Sequence, residues 1–240
     1  MTAPRGSIDE ICVNTIRTLC IDAVQQAKSG HPGTPMAMAP VVYTLWQEFL
    51  RFDPEDPIWP NRDRFVLSAG HASTLLYAML HLTGVKSVNE DYERLGNLCW
   101  IYDSNHITIE GNTALAFSED VAGRFLAYRW HVQRVSDAND RERIADAIAS
   151  AKRIDDRPSL IIVESHIGYG APHKQDTSGA HGEPLGEEEV KLAKRSYGWP
   201  EDAKFLVPDG VYEHFQDGMG KRGGALRQGL ELLHGDARFR

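Results

Sequence analysis

Ser159-Leu160-Ile161-Ile162-Val163-Glu164 is a run of four apolar residues, two of them isoleucine and one valine, closed at each end by a polar side chain. Apolar residues at consecutive positions, over a length short for a helix, suit a strand covered on both faces, as in the middle of a parallel sheet. The neighbouring stretches agree. Ala138 to Ile154 has a helical period with an acidic first turn at Asp140, and Trp130-His131-Val132-Gln133-Arg134-Val135 before it reads as a strand. Further upstream come a helix over Ser118 to Arg129, a buried-type strand Leu98-Cys99-Trp100-Ile101-Tyr102 and a weaker helix over Val88 to Leu95. His71 to Leu82 is a helix with Leu75, Leu76, Met79 and Leu82 on one side, and Arg64-Phe65-Val66-Leu67-Ser68 is a short strand. Strands alternating with helices predict an α/β fold, a three-layer parallel sheet with helices on both faces.

The N-terminal part is helical. Ser7-Ile8-Asp9-Glu10 has the shape of a capping box, and Ile8, Cys12, Ile16, Leu19, Ala23 and Ala27 follow at helical spacing. Lys28-Ser29-Gly30 ends that helix, and Thr34-Pro35 reads as N-cap and first turn of a second, through Val41, Leu45 and Phe49. Arg51 to Arg62 is a loop. Downstream, Ile167 to Gly186 has no periodicity, and a loop of that length in a compact domain is usually functional. A helix starting at Leu185-Gly186-Glu187 runs to Tyr197, and Tyr212 to Leu233 closes the chain.

Composition narrows the function. With 26 basic and 34 acidic residues the net charge is −8, a poor basis for holding nucleic acid or an anionic membrane, since both need a positive field. Cys12, Cys20 and Cys99 form no C-x-x-C pair, which gives neither a disulfide framework nor a zinc knuckle and suits a reducing cytoplasm. No apolar h-region opens the chain and no stretch approaches the length of a bilayer span, so a cytoplasmic protein is expected.

In a parallel sheet, ligands bind beyond the carboxyl ends of the strands. The segments there are Ala69-Gly70-His71-Ala72, Asp103-Ser104-Asn105-His106, Ser136-Asp137-Ala138-Asn139 and Ser165-His166-Ile167-Gly168, and three of the four hold a histidine. Ser29-Gly30-His31-Pro32-Gly33 holds another in a tight turn, and Ser178-Gly179-Ala180-His181-Gly182 places one in the long loop. His166 and His173 lack such turn-fixing neighbours. Any one histidine is by default a surface or satisfied core side chain, and the local context is what singles out His31, His71 and His181. The oxygen of Asn105 with a nearby carbonyl suits a hard cation, but an Asx turn explains the same residues.

Four segments together resemble the N-terminal domain of transketolase. They are Ser29 through Pro40 (SGHPGTPMAMAP), Leu67-Ser68-Ala69-Gly70-His71-Ala72, Ile101 through Gly111 (IYDSNHITIEG), and Ile167-Gly168-Tyr169-Gly170-Ala171-Pro172-His173 on to His181-Gly182. The resemblance implies a thiamine-diphosphate-binding fold spanning 1–240 as a single truncated domain, and transfer of a two-carbon ketol unit between sugar phosphates. It implies thiamine diphosphate and Mg²⁺, with Ca²⁺ as a substitute. His31 and His181 would be catalytic, His71, Asn105 and His181 would hold the cofactor, and Asn105 with the Ile107 carbonyl would ligate the metal.

The chain departs from the family pattern in two places. No Gly-Asp-Gly, whose carboxylate is a family metal ligand, stands before Asn105, and a Gly-Pro-Leu-Gly loop is missing too, so the chain is shortened by an internal deletion with its join at Leu95-Gly96-Asn97. No pyrimidine-binding domain follows, so a homodimer or a separate pyrimidine-domain chain is expected to complete the site. Surfaces that once met missing parts would be exposed, with Trp46 and Trp59 as candidates and Trp100 more suited to the core. The alternative function is a non-catalytic truncated relative that keeps the fold and binds a phosphate ligand or a partner. A nucleotide-dependent enzyme is the weakest reading, because no G-x-G-x-x-G follows a strand and no Walker motif exists.

Overall fold

The structure, a computed structural model, describes residues 6–56, 62–85, 99–115 and 117–220. Helix α1 spans Ile8–Ala27. Its capping box forms as the sequence requires: Ser7 Oγ accepts from Glu10 N–H at 3.3 Å, and Glu10 Oε2 accepts from Ser7 N–H at 2.8 Å. Lys28, in the left-handed region at φ 51°, ends it.

Helix α2, Gly33–Thr44, is buried along its whole length. Its first helical bond runs from Met36 N–H to the Pro32 carbonyl at 3.0 Å, so the helix starts ahead of Thr34, which is no N-cap. Pro32 already holds a helical backbone and begins the turn by itself. Pro40 lies inside the helix and offers no N–H to the Met36 carbonyl. Arg17 Nε of α1 donates to that carbonyl at 2.9 Å, so a side chain supplies the missing bond. The α-helix ends at Thr44, earlier than the periodicity suggests, and continues as a single π-turn through Phe49.

Among the described residues the sheet has three parallel strands, β1 (Cys99–Ser104), β4 (His131–Val135) and β5 (Ser159–Glu164), in the order β1-β5-β4. The deciding apolar run is the central strand, with Ile161 opposite Ile101 on one side and Gln133 on the other. Leu160 through Val163 are all buried, because both edges and both faces of that strand are covered. A small hairpin of β2 (Ile107–Thr108) and β3 (Gly111–Asn112) follows β1. Helices α3 (Ser73–Leu82), α4 (Val121–Ala127), α5 (Arg141–Lys152), α6 (Glu187–Ser196) and α7 (Val211–Phe215) complete the described part. The main core gathers α1, α2, α3, α5, α7 and the sheet. All three cysteines are free, and among the described residues no helix is long and apolar enough to cross a membrane.

Three expectations are corrected. Arg64 to Ser68 forms no strand: among the described residues nothing pairs with it, and a strand exists only through its ladder. Phe65 instead packs edge-on against Trp46, ring centroids 4.4 Å apart. Trp46 is buried, not surface-forming, and Trp100 is 48% exposed rather than core. It lies on the edge strand of the described sheet, against Trp130 at 5.0 Å and Phe125 at 5.8 Å. Helix α4 beside it buries no residue. Trp59, the weak helix over Val88 to Leu95 and the join at Leu95-Gly96-Asn97 lie outside the described residues, as does the chain beyond 220.

Candidate functional site

Three loops meet over one end of the sheet. His31 lies between α1 and α2, where Gly30 at φ 127° makes a turn that a side chain would strain. His71 sits in the 3₁₀ turn Gly70–Ala72 that leads into α3. His181 follows the 3₁₀ turn Ser178–Ala180 in the long loop. Their ring centroids are 5.2 Å (His31–His71), 5.5 Å (His71–His181) and 6.0 Å (His31–His181) apart. The structure therefore brings all three singled-out histidines into one cluster.

Backbone contact sets this geometry. Gly168 N–H donates to the Gly33 carbonyl at 3.1 Å, joining the loop after β5 to the first residue of α2. A Cβ built on Gly33 would stand 2.3 Å from the Ala180 carbonyl oxygen and 2.6 Å from Ile167 Cγ1. Only glycine lets the helix end approach the turn that presents His181. Gly168, at φ 66°, is also tightly placed: a Cβ built there would stand 2.7 Å from the Ala180 methyl. Sequence reading missed this packing of Gly33 and Gly168 against Ala180; the glycines were visible, but not the segment each one faces.

Arg17 braces the same region. Besides the Met36 carbonyl it donates to Asn139 Oδ1 at 2.7 Å, and its guanidinium lies 4.4 Å from the Tyr169 ring. A buried cation thus ties α1, α2, the loop after β4 and the His181 loop together.

Two of the imidazoles, His71 and His181, are tuned toward neutrality. Burial, followed by the charge of His31, holds the His71 pKa below its ordinary 6.5, and Asp103 opposes this. Burial, then the charges of His71 and His31, lowers His181 in the same direction. His181 Nδ1 is buried with no hydrogen-bond partner. A polar atom in that state costs free energy unless something fills its valence, so the cluster is suited to a ligand bearing a donor or acceptor.

In the unfolded chain these imidazoles take protons near 6.5, and in the folded chain only at lower pH, so between the two the unfolded state binds more protons. Stability then falls as pH drops through that window. Melting curves from pH 8 to pH 5 should show this loss, and His71→Gln should flatten it; an unchanged slope in the variant would contradict the clustering of charge.

Asn105 is on the same side of the sheet, following β1. Its Oδ1 accepts from Ile107 N–H at 3.0 Å, the Asx turn anticipated as the plain explanation, and its Nδ2 donates to Asp103 Oδ2 at 3.0 Å. Asp103 also accepts from the Ser165 hydroxyl, and burial raises its pKa. Among the described residues no group of three or more His, Cys, Asp or Glu side chains could hold a metal ion. Asn105 and Ile107 offer neutral oxygens only, and a hard cation such as Mg²⁺ or Ca²⁺ favours carboxylate oxygens. These residues alone do not fit a resident metal. His166 pairs with Asp176 at 2.8 Å and His173 with Glu189 at 2.8 Å, and neither joins the cluster.

The chain is similar to proteins of one family. The family described as "Transketolase, thiamine diphosphate binding domain" matches residues 8–92 and 86–232, two pieces that overlap over 86–92. Transketolase of Geobacillus stearothermophilus is 38% identical over 295 positions that take in 88% of this chain and 44% of the relative. That of Bacillus subtilis is 36% identical over 294 positions, 87% of this chain and 44% of the relative. Alignments longer than the chain itself mean that the relatives carry internal sequence which it lacks. Among solved structures, a transketolase mutant from Pichia stipitis superposes with a TM-score of 0.89 at 30% identity, covering 96% of this chain and 46% of that one. Transketolase from Leishmania mexicana gives 0.86 at 30% identity, with 95% and 47% covered. The chain spans about half the length of the relatives it matches, and it belongs to the transketolase thiamine diphosphate binding domain family.

Proposed function

We propose that the histidine cluster holds thiamine diphosphate and that the chain takes part in transketolase-like transfer of a two-carbon ketol unit between sugar phosphates. The observation that carries this reading is the convergence of His31, His71 and His181 around an unpaired buried nitrogen, His181 Nδ1. When bound, thiamine diphosphate supplies the carbon nucleophile for such a transfer.

The chain's own part is positioning and proton movement. His71 and His181, kept neutral, can each accept a hydrogen bond at one ring nitrogen and donate at the other. His31 and His181 hold substrate hydroxyls and pass protons to and from them, a role that suits imidazole at cellular pH. His71, His181 and Asn105 face the cofactor. Arg17 and the Gly33–Ala180 contact keep the three loops in register. No step is assigned to a metal, which the neutral oxygens of Asn105 and the Ile107 carbonyl do not by themselves fit. The chain acts as one diphosphate-binding unit in the cytoplasm, where free thiols persist. A homodimer or a separate pyrimidine-domain chain supplies the remaining part of the site.

The neutral donor set favours a second reading, a non-catalytic relative that retains the fold and holds a phosphate ligand. Calorimetric titration with thiamine diphosphate, run with and without Mg²⁺, separates the possibilities. Saturable binding that His181→Ala weakens at least tenfold, at an unchanged melting temperature, supports the cofactor site. Absence of heat and of any melting shift at millimolar cofactor sinks it, since a ligand of the native state must stabilise that state. Binding without turnover, in the presence of a pyrimidine-domain chain, identifies the non-catalytic relative.

A further inference from the structure

A surface depression lies away from the histidine cluster. A cleft of about 720 Å³ opens between α1, α3, the segment after α6 and α7. Its volume lies within the range of small-molecule sites. Leu19 and Ala23 of α1 and Ala78 of α3 line it, and Tyr77, Phe205 and Tyr212 add three aromatic rings. Tyr77 is 67% exposed and Phe205 48% exposed, unusual for large side chains on one depression. Tyr212 Oη and His81 Nε2 are 3.0 Å apart and join α7 to α3.

The wall carrying Phe205 is held in a costly conformation. Phe205 has φ 50°, a left-handed backbone that side chains other than glycine, asparagine and aspartate seldom adopt. It is kept there from behind by a buried ion pair. Lys194 Nζ, 1% exposed, pairs with Asp22 and donates to the Ala203 carbonyl at 2.7 Å, while Asp22 Oδ2 accepts from Phe205 N–H at 2.8 Å. Both neighbours of Lys204 are therefore fixed. Lys204 lines the cleft and has no ion pair or hydrogen bond among the described residues, in a chain of net charge −8. Backbone strain supported by a buried charge pair, beside an unpartnered cation and exposed rings, is a pattern of ligand sites.

We propose that this cleft binds a flat aromatic anion, the ring between Tyr77 and Phe205 and the acid group on Lys204. The site is independent of the histidine cluster. Naphthoate is a suitable probe, titrated into the chain by calorimetry with naphthalene methanol as its neutral analogue. The expected result is one molar equivalent of naphthoate bound, undisturbed by excess thiamine diphosphate. Lys204→Met should weaken naphthoate about tenfold, the scale of a lost charge-assisted hydrogen bond, and leave naphthalene methanol unchanged. Phe205→Gly should relieve the left-handed strain, so that its melting temperature holds or rises while naphthoate binding falls. That split is one a purely structural phenylalanine would not give. No binding at millimolar naphthoate would overturn the proposal. So would equal affinity in Lys204→Met, displacement by thiamine diphosphate, or loss of binding in Leu126→Ser, a change at an exposed side chain of helix α4 outside the cleft.

Discussion

Lys194→Met is expected to lower stability by about 3–5 kcal/mol, the cost of leaving one member of a buried ion pair uncompensated. Asp22 is buried and loses its cation, and the Ala203 carbonyl loses its donor. For a chain of this size the melting temperature should fall by roughly 10 °C. The double change Lys194→Met with Asp22→Leu removes the stranded charge and should recover part of the loss. Recovery stays incomplete because Phe205 N–H then has no acceptor. Thermal melts of the two single changes and the double form a cycle that isolates the pair. Singles within about 1 kcal/mol of the parent would show that the pair is solvated rather than buried.

Gly33→Val should act on the site more than on the fold. The new Cβ would meet the Ala180 carbonyl oxygen at 2.3 Å and Ile167 Cγ1 at 2.6 Å, distances no packed atoms keep. Either α2 or the turn Ser178–Ala180 must give way. Helix α2 is buried throughout and anchored by Arg17, so the turn is the part that moves, taking His181 with it. Overpacking of this kind costs about 1–3 kcal/mol. Thiamine diphosphate affinity should drop by at least tenfold, more than the modest fall in melting temperature accounts for. Calorimetry on Gly33→Val and Gly33→Ala would show a graded loss; wild-type affinity in both would mean that the Gly33–Ala180 contact does not set the position of His181.

Much of the fold was legible because local pattern and tertiary role coincide. The apolar run at Ser159–Glu164 is a central strand within the predicted bounds, and the Ser7–Glu10 capping box forms as written. Asp140 caps α5 where the acidic first turn was expected. Failures fall where context overrides pattern. Among the described residues Arg64 to Ser68 has strand-like residues but no ladder partner, and the strand that begins at Cys99 has the composition of a buried strand yet lies at a sheet edge. Burial depends on neighbours, and composition cannot say which neighbours are present.

The sequence by itself determined the class of elements, their order, the glycine-bounded turns carrying His31 and His181, and the family. These are consequences of backbone preference and periodicity, which act over a few residues. Only the tertiary structure decided that the three imidazoles stand 5–6 Å apart, that the proline-broken bond of α2 is repaired by Arg17, and that a buried Lys194–Asp22 pair forces Phe205 outward. Each of those contacts joins residues distant in the chain, and their energies come from burial and steric fit, which exist only once the chain has closed on itself.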